Sequence, residues 1–79
     1  MSPTIIIEKG YRFFFFSREE SRMHVHVTSS VGEAKYWLEP DIELAKNYNL
    51  SQAQLKEIEN IIEVHHEEFK SAWEKHLGG

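Results

Sequence analysis

Cysteine is absent from this 79-residue chain, proline occurs twice, glycine four times, and the longest uninterrupted apolar run is the four phenylalanines from Phe13 to Phe16. Without cysteine there are neither disulfides nor thiolate metal ligands, so a chain this short must rely on its apolar core for stability. A membrane-spanning helix needs about 20 apolar residues in succession, and no such stretch is present. The opening MSPTIII has no basic segment leading into a long apolar one, so no secretory signal is expected and the cytoplasm is the expected location. A basic excess is missing too: nine Lys and Arg stand against thirteen Asp and Glu, for a net charge of −4.

What is present is a globular balance of 41% hydrophobic and 28% charged residues, at the length of one domain. The charge is unevenly spread. Residues 1–38 carry Lys9, Arg12, Arg18, Arg22 and Lys35 against Glu8, Glu19, Glu20 and Glu33, a net charge of +1. Residues 39–79 carry four lysines against nine acids, a net charge of −5. Any nucleic-acid contact must therefore come from the first half, because the second would repel phosphate. That half is only weakly basic, so ordinary solvated charge is the preferred reading and nucleic acid is not favoured as a partner.

The first half reads as strands, over about residues 4–38. TIII and YRFFFF are dense in β-branched and aromatic residues, and Lys9-Gly10 between them supplies a glycine for a tight hairpin. The polar segment from Ser17 to Arg22 predicts an exposed connection. In MHVHVT the period of two places Met23, Val25 and Val27 on one face and His24, His26 and Thr28 on the other. Pairing Thr28 with Glu33 sets Val27 against Ala34, Val25 against Tyr36 and Met23 against Leu38, with His26 against Lys35 and His24 against Trp37 behind them. A slip of one residue would break every apolar pair.

The second half reads as helix. Ser51 and Gln54 have capping-box spacing, and Leu50 and Leu55 that of a hydrophobic staple. Leu55, Ile58, Ile62, His65, Phe69, Ala72, Trp73 and His76 then recur at three- and four-residue steps, which predicts one long amphipathic helix over 51–77, ended by Gly78-Gly79. Pro40 followed by acids predicts a short helix or turn over about 40–48, although Ile42 and Leu44 also alternate. The expected fold is α+β, a four-stranded antiparallel meander packed on the long C-terminal helix. His65, inside the apolar stripe, is expected to be a neutral core histidine with one hydrogen-bond partner, and His66, about 100° further round, to lie at the surface.

Pro3-Thr4-Ile5, the run from Gly10 to Ser17, His24-Val25-His26-Val27, the run from Gly32 to Pro40, and Ala72-Trp73 together resemble the small bacterial domain-of-unknown-function family DUF 4160 over nearly the whole chain. In that family a proline typically precedes the first histidine of a Pro-His-x-His motif; here Met23 occupies that position. The family has no settled biochemical activity. The resemblance implies membership of a small two-gene module of toxin–antitoxin or regulatory type, with a protein partner encoded by the neighbouring gene.

His24 and His26 admit three chemistries. Two strand residues apart, about 6.6 Å between Cα atoms, they could converge on a metal with Glu33 as third ligand, but a structural zinc site normally needs four ligands. As an acid/base pair they could cleave RNA without metal, with Lys35 or Arg22 stabilising the phosphate. The preferred reading is solvated or hydrogen-bonded strand histidines. The phenylalanine run presents Phe13 and Phe15 on one side and Phe14 and Phe16 on the other, and one helix covers a single side. The Trp37 side is then expected either to be covered by the short 41–48 segment or to be an interface, and the interface is preferred. The function expected is that of a protein-binding or regulatory module without cofactor or membrane attachment, working through a neighbouring-gene partner, a homodimer, or both. Its binding residues would be His24, His26, Lys35, Trp37 and Arg22; a small ribonuclease is the alternative.

Overall fold

The computed structural model describes residues 4–15 and 22–77, without the side chains of residues 76 and 77. Phe16, the Ser17 to Ser21 part of the expected connection, the His76 side chain and Gly78-Gly79 lie outside the described residues. Lys9-Gly10 turns the chain as anticipated, with φ of 54° and 84°, the pair of positive values that a two-residue hairpin of primed type requires. It joins β1 (Thr4–Glu8) to β2 (Tyr11–Phe14). β3 (His24–Thr28) and β4 (Glu33–Trp37) follow, and their register is the one the alternation implies, from Thr28 opposite Glu33 to His24 opposite Trp37. The Leu38 amide continues the ladder to the Met23 carbonyl at 2.9 Å.

The expected helix over 40–48 is instead a fifth strand, β5 (Glu43–Tyr48), paired antiparallel to β4. Ladder bonds to β4 satisfy this segment's backbone as a helix would have, and Ile42 just before it packs against the core. The sheet is a five-stranded meander in the order β1-β2-β3-β4-β5, so β1 and β5 are its edges. Each carries a one-residue register shift, between Thr4 and Ile6 and between Leu44 and Lys46, which blunts it against strand addition. Gly32 is required by close approach. A Cβ there would lie 3.0 Å from the Asn49 carbonyl and closer still to the Tyr48 oxygen.

Two asparagines build the corner into the helices. Asn47 brackets Leu50 through both its amide atoms at 3.1 Å, and Asn49, at φ 65°, donates to the Val31 carbonyl at 2.7 Å. The capping box is present in full: Ser51 Oγ accepts from the Gln54 amide at 3.1 Å and Gln54 Oε1 from the Ser51 amide at 2.9 Å. The one long helix is two, α1 (Gln52–Val64) and α2 (His66–Leu77), broken at the single residue His65. Both serve one face of the sheet. Phe13 meets Phe69 with ring centroids 5.5 Å apart, and Val25, Val27, Tyr36, Leu38, Ile58 and Ile62 are buried around them. Each such side chain contributes about 1.5–3 kcal/mol on burial.

Polar contacts pin the helices to the strands. The Tyr11 hydroxyl donates to Glu57 at 2.8 Å, and the Tyr36 hydroxyl to Glu59 at 3.1 Å with the Leu55 carbonyl at 3.2 Å. Burial first, and then the carboxylate, raises the pKa of both phenols, which keeps them donors. Among the described residues no helix is long and apolar enough to cross a membrane.

Candidate binding face

Cross-strand partners share a face, so the register lays out the side of the sheet away from the helices row by row. Ile7 stands opposite Arg12, Arg12 opposite Thr28, Thr28 opposite Glu33, and Glu33 opposite Tyr48. The second row is Phe14, His26, Lys35 and Lys46, and the third is His24, Trp37 and Glu43. The five residues expected to bind are thus gathered at one end. Arg22 and Lys35 both lie over the Trp37 ring, at 4.3 and 4.6 Å from its centroid. The His24 ring stands edge-on to Trp37 at 5.8 Å and to His26 at 5.1 Å, and His26 stacks on Phe14 at 5.6 Å. Arg12 covers Phe14 at 4.7 Å and donates to Thr4 Oγ1 at 2.8 Å.

The outcome for His24 differs from the expectation of an exposed strand histidine. It is wholly buried. Its Nδ1 lies 2.7 Å from the Arg22 carbonyl, and a carbonyl only accepts, so Nδ1 carries the proton. The ring of Trp73, from α2, closes on it at 4.9 Å while also meeting Phe15 edge-on at 5.2 Å. Parity did assign His24 to the outer face. But β2 ends at Phe14, opposite His26, so His24 lies one row past the β2–β3 pairing and α2 reaches round to it. His26 is half-buried and remains on the outer face.

Glu33 is in the first row, two rows from His24, so the two-histidine, one-carboxylate metal site is not assembled. Among the described residues no three His, Asp or Glu side chains are grouped to hold a metal ion.

His65 is neither neutral nor singly bonded. Its Nδ1 contacts Glu68 at 2.9 Å and its Nε2 contacts Glu8 at 3.0 Å, and two carboxylates require both ring nitrogens to donate. Hydrogen bonding to Glu68 raises the His65 pKa most; burial opposes this and Glu8 adds to it. This clasp ties the end of β1 to the break between the helices. His66 also points inward, its Nε2 donating to the Leu38 carbonyl at 2.9 Å.

The binding residues expected from the sequence did not include Arg12, Phe14, Tyr48 or Lys46. The first two were within reach, since YRFF at period two puts Arg12 and Phe14 beside His26. The other two were hidden by the helical reading of 40–48.

A family model for a domain of unknown function, DUF4160, matches residues 10–74. The chain belongs to the DUF4160 family. No curated protein and no solved structure matches it. The matched span of this DUF4160 domain takes in β2 to β5, all of α1 and most of α2, and the whole outer face except the β1 residues.

Proposed function

We propose that this DUF4160 protein is a protein-binding or regulatory module that docks a partner on the outer face of its sheet, as one component of a two-gene, toxin–antitoxin-like pair in the cytoplasm. The observation that carries the reading is the composition of that face. Among the described residues Arg12, Arg22, Lys35 and Lys46 stand there against Glu33 and Glu43, in a chain of net charge −4, and three of these four cations are mounted on or beside aromatic rings. Lys35 and Lys46 are direct cross-strand partners, which places two cations side by side in the second row.

Two features weigh against nucleic acid and ribonuclease chemistry. Base stacking needs open ring faces, yet Phe14 is buried and Trp37 carries two cations. A general acid must come within hydrogen-bond reach of its substrate, and His24 is wholly buried.

The test is co-expression with the product of the adjacent gene and capture on a tag. Lys35→Glu and Lys46→Glu should reduce capture while far-ultraviolet circular dichroism stays unchanged. Capture indifferent to both substitutions would remove the outer face from the interaction. RNA cleavage lost on His26→Gln would restore the ribonuclease.

A further inference from the structure

The first row of the outer face reads, across the five strands, apolar Ile7, cationic Arg12, Thr28, anionic Glu33, aromatic Tyr48. It is exposed along its length apart from a half-buried Thr28, with Ile7 and Tyr48 each 70% exposed at its two ends. Reversed, this order complements itself. A two-fold axis running along β3 and above Thr28 sets a second copy of the row over the first in the opposite sense. Ile7 then faces Tyr48 of the copy, Arg12 faces Glu33, and Thr28 faces Thr28, with every contact made twice. We infer that the outer face associates with a second copy of this chain, sheet against sheet, around that axis.

The geometry of packed sheets accommodates the pairing. Facing sheets lie about 10 Å apart with their strands rotated by about 30°. Arg12 and Glu33 are each one strand from the axis, about 4.8 Å, where that rotation displaces partners along the strand by only about 2.4 Å, within the reach of an arginine. At the edges the displacement is about 5 Å, which the broad Tyr48 and Ile7 side chains tolerate because apolar contact is not directional. Arg12 is held on this face above Phe14, with its Nε donating to Thr4 Oγ1. Among the described residues Glu33 has no cation of its own, and within one chain Arg12 stands two strands from it.

The second row agrees with the same axis. His26, half-buried on the outer face, falls on it. A footprint of roughly 24 by 17 Å is small for a stable interface, so the dimer should dissociate in the micromolar range.

This inference rests on the outer face being the docking surface and specifies one occupant of it. The experiment is sedimentation of the purified chain across a concentration series, with Arg12→Glu and Glu33→Arg made singly and together. Each single variant sets two like-charge pairs across the axis and should weaken association about tenfold or more. The double variant, and an equimolar mixture of the two singles, restore opposite charges at both contacts and should recover it. Thr28→Lys, which brings two cations together on the axis, should abolish association with no rescue by mixing.

A wild-type chain that stays monomeric at about 0.5 mM overturns the inference, as do single variants that associate like the wild type. If the wild type is monomeric but the adjacent-gene product is still lost on Lys35→Glu and Lys46→Glu, only the second copy is excluded and the docking reading stands. If that capture is also indifferent to them, both fall.

Discussion

Replacing His24 by alanine removes a wholly buried imidazole that touches Trp73, Trp37 and His26 and donates to the Arg22 carbonyl. Removal of a buried aromatic side chain costs about 3–5 kcal/mol, and the smaller, polar imidazole belongs at the low end, about 3 kcal/mol. A domain of this size holds about 4–12 kcal/mol in all, so the loss is a large fraction of the whole. His24→Phe separates the contributions. It keeps ring contacts but leaves the Arg22 carbonyl without its donor, at about 1 kcal/mol. His26→Ala, which removes a half-buried ring stacked on Phe14 and edge-on to His24, should cost about 1 kcal/mol. Urea denaturation of the three variants checks the order; at a slope of about 1 kcal/mol per molar, His24→Ala should lower the midpoint by about 3 M. Equal losses for His24→Ala and His26→Ala would refute the assignment of His24 to the interior.

Three further outcomes are expected. The Glu8–His65–Glu68 clasp needs the imidazolium, and His65 has its pKa raised above 6.5 in the folded state, so its stabilisation is complete below about pH 6.5 and is lost as pH rises through the higher folded value. The stability gap between wild type and His65→Gln should therefore narrow from pH 6 to pH 9, and because these groups are partly exposed it should stay under about 1 kcal/mol; a gap that widens would reverse the assigned charge. Lys9 holds a positive φ that asparagine adopts more readily, so Lys9→Asn should stabilise by about 0.5–1 kcal/mol and raise Tm by several degrees, measured by thermal melting. Ser51→Ala removes the cap bond to Gln54 and should cost about 1 kcal/mol; an unchanged denaturation midpoint would contradict the capping role.

The β3–β4 register was legible because alternation has only two phases, and only one of them keeps Val25, Val27, Ala34 and Tyr36 together. The capping box was legible for a similar reason: Ser51 and Gln54 satisfy each other within one turn, without help from the rest of the fold. For the candidate site, parity sufficed to place His26, Lys35 and Trp37 on one face with Arg22 over it. It would have sufficed for Arg12 and Phe14.

The remainder depended on contacts between segments far apart in the chain. Residues 43–48 carry weak strand propensity and a one-residue register shift that breaks their alternation, and they are a strand because β4 offers them an edge. The apolar stripe runs through His65 without interruption, so nothing local marks the break there. The break sits where Glu8, 57 residues away, meets the ring. His24 has the parity of an exposed residue and is buried because Trp73 arrives at the end of the sheet. Local sequence determined strand phase, turn and cap in this protein, since each is satisfied within a few residues. The fifth strand, the break between the helices and the fate of His24 were decided by the tertiary structure, since the partners that stabilise each come together only when the chain has folded.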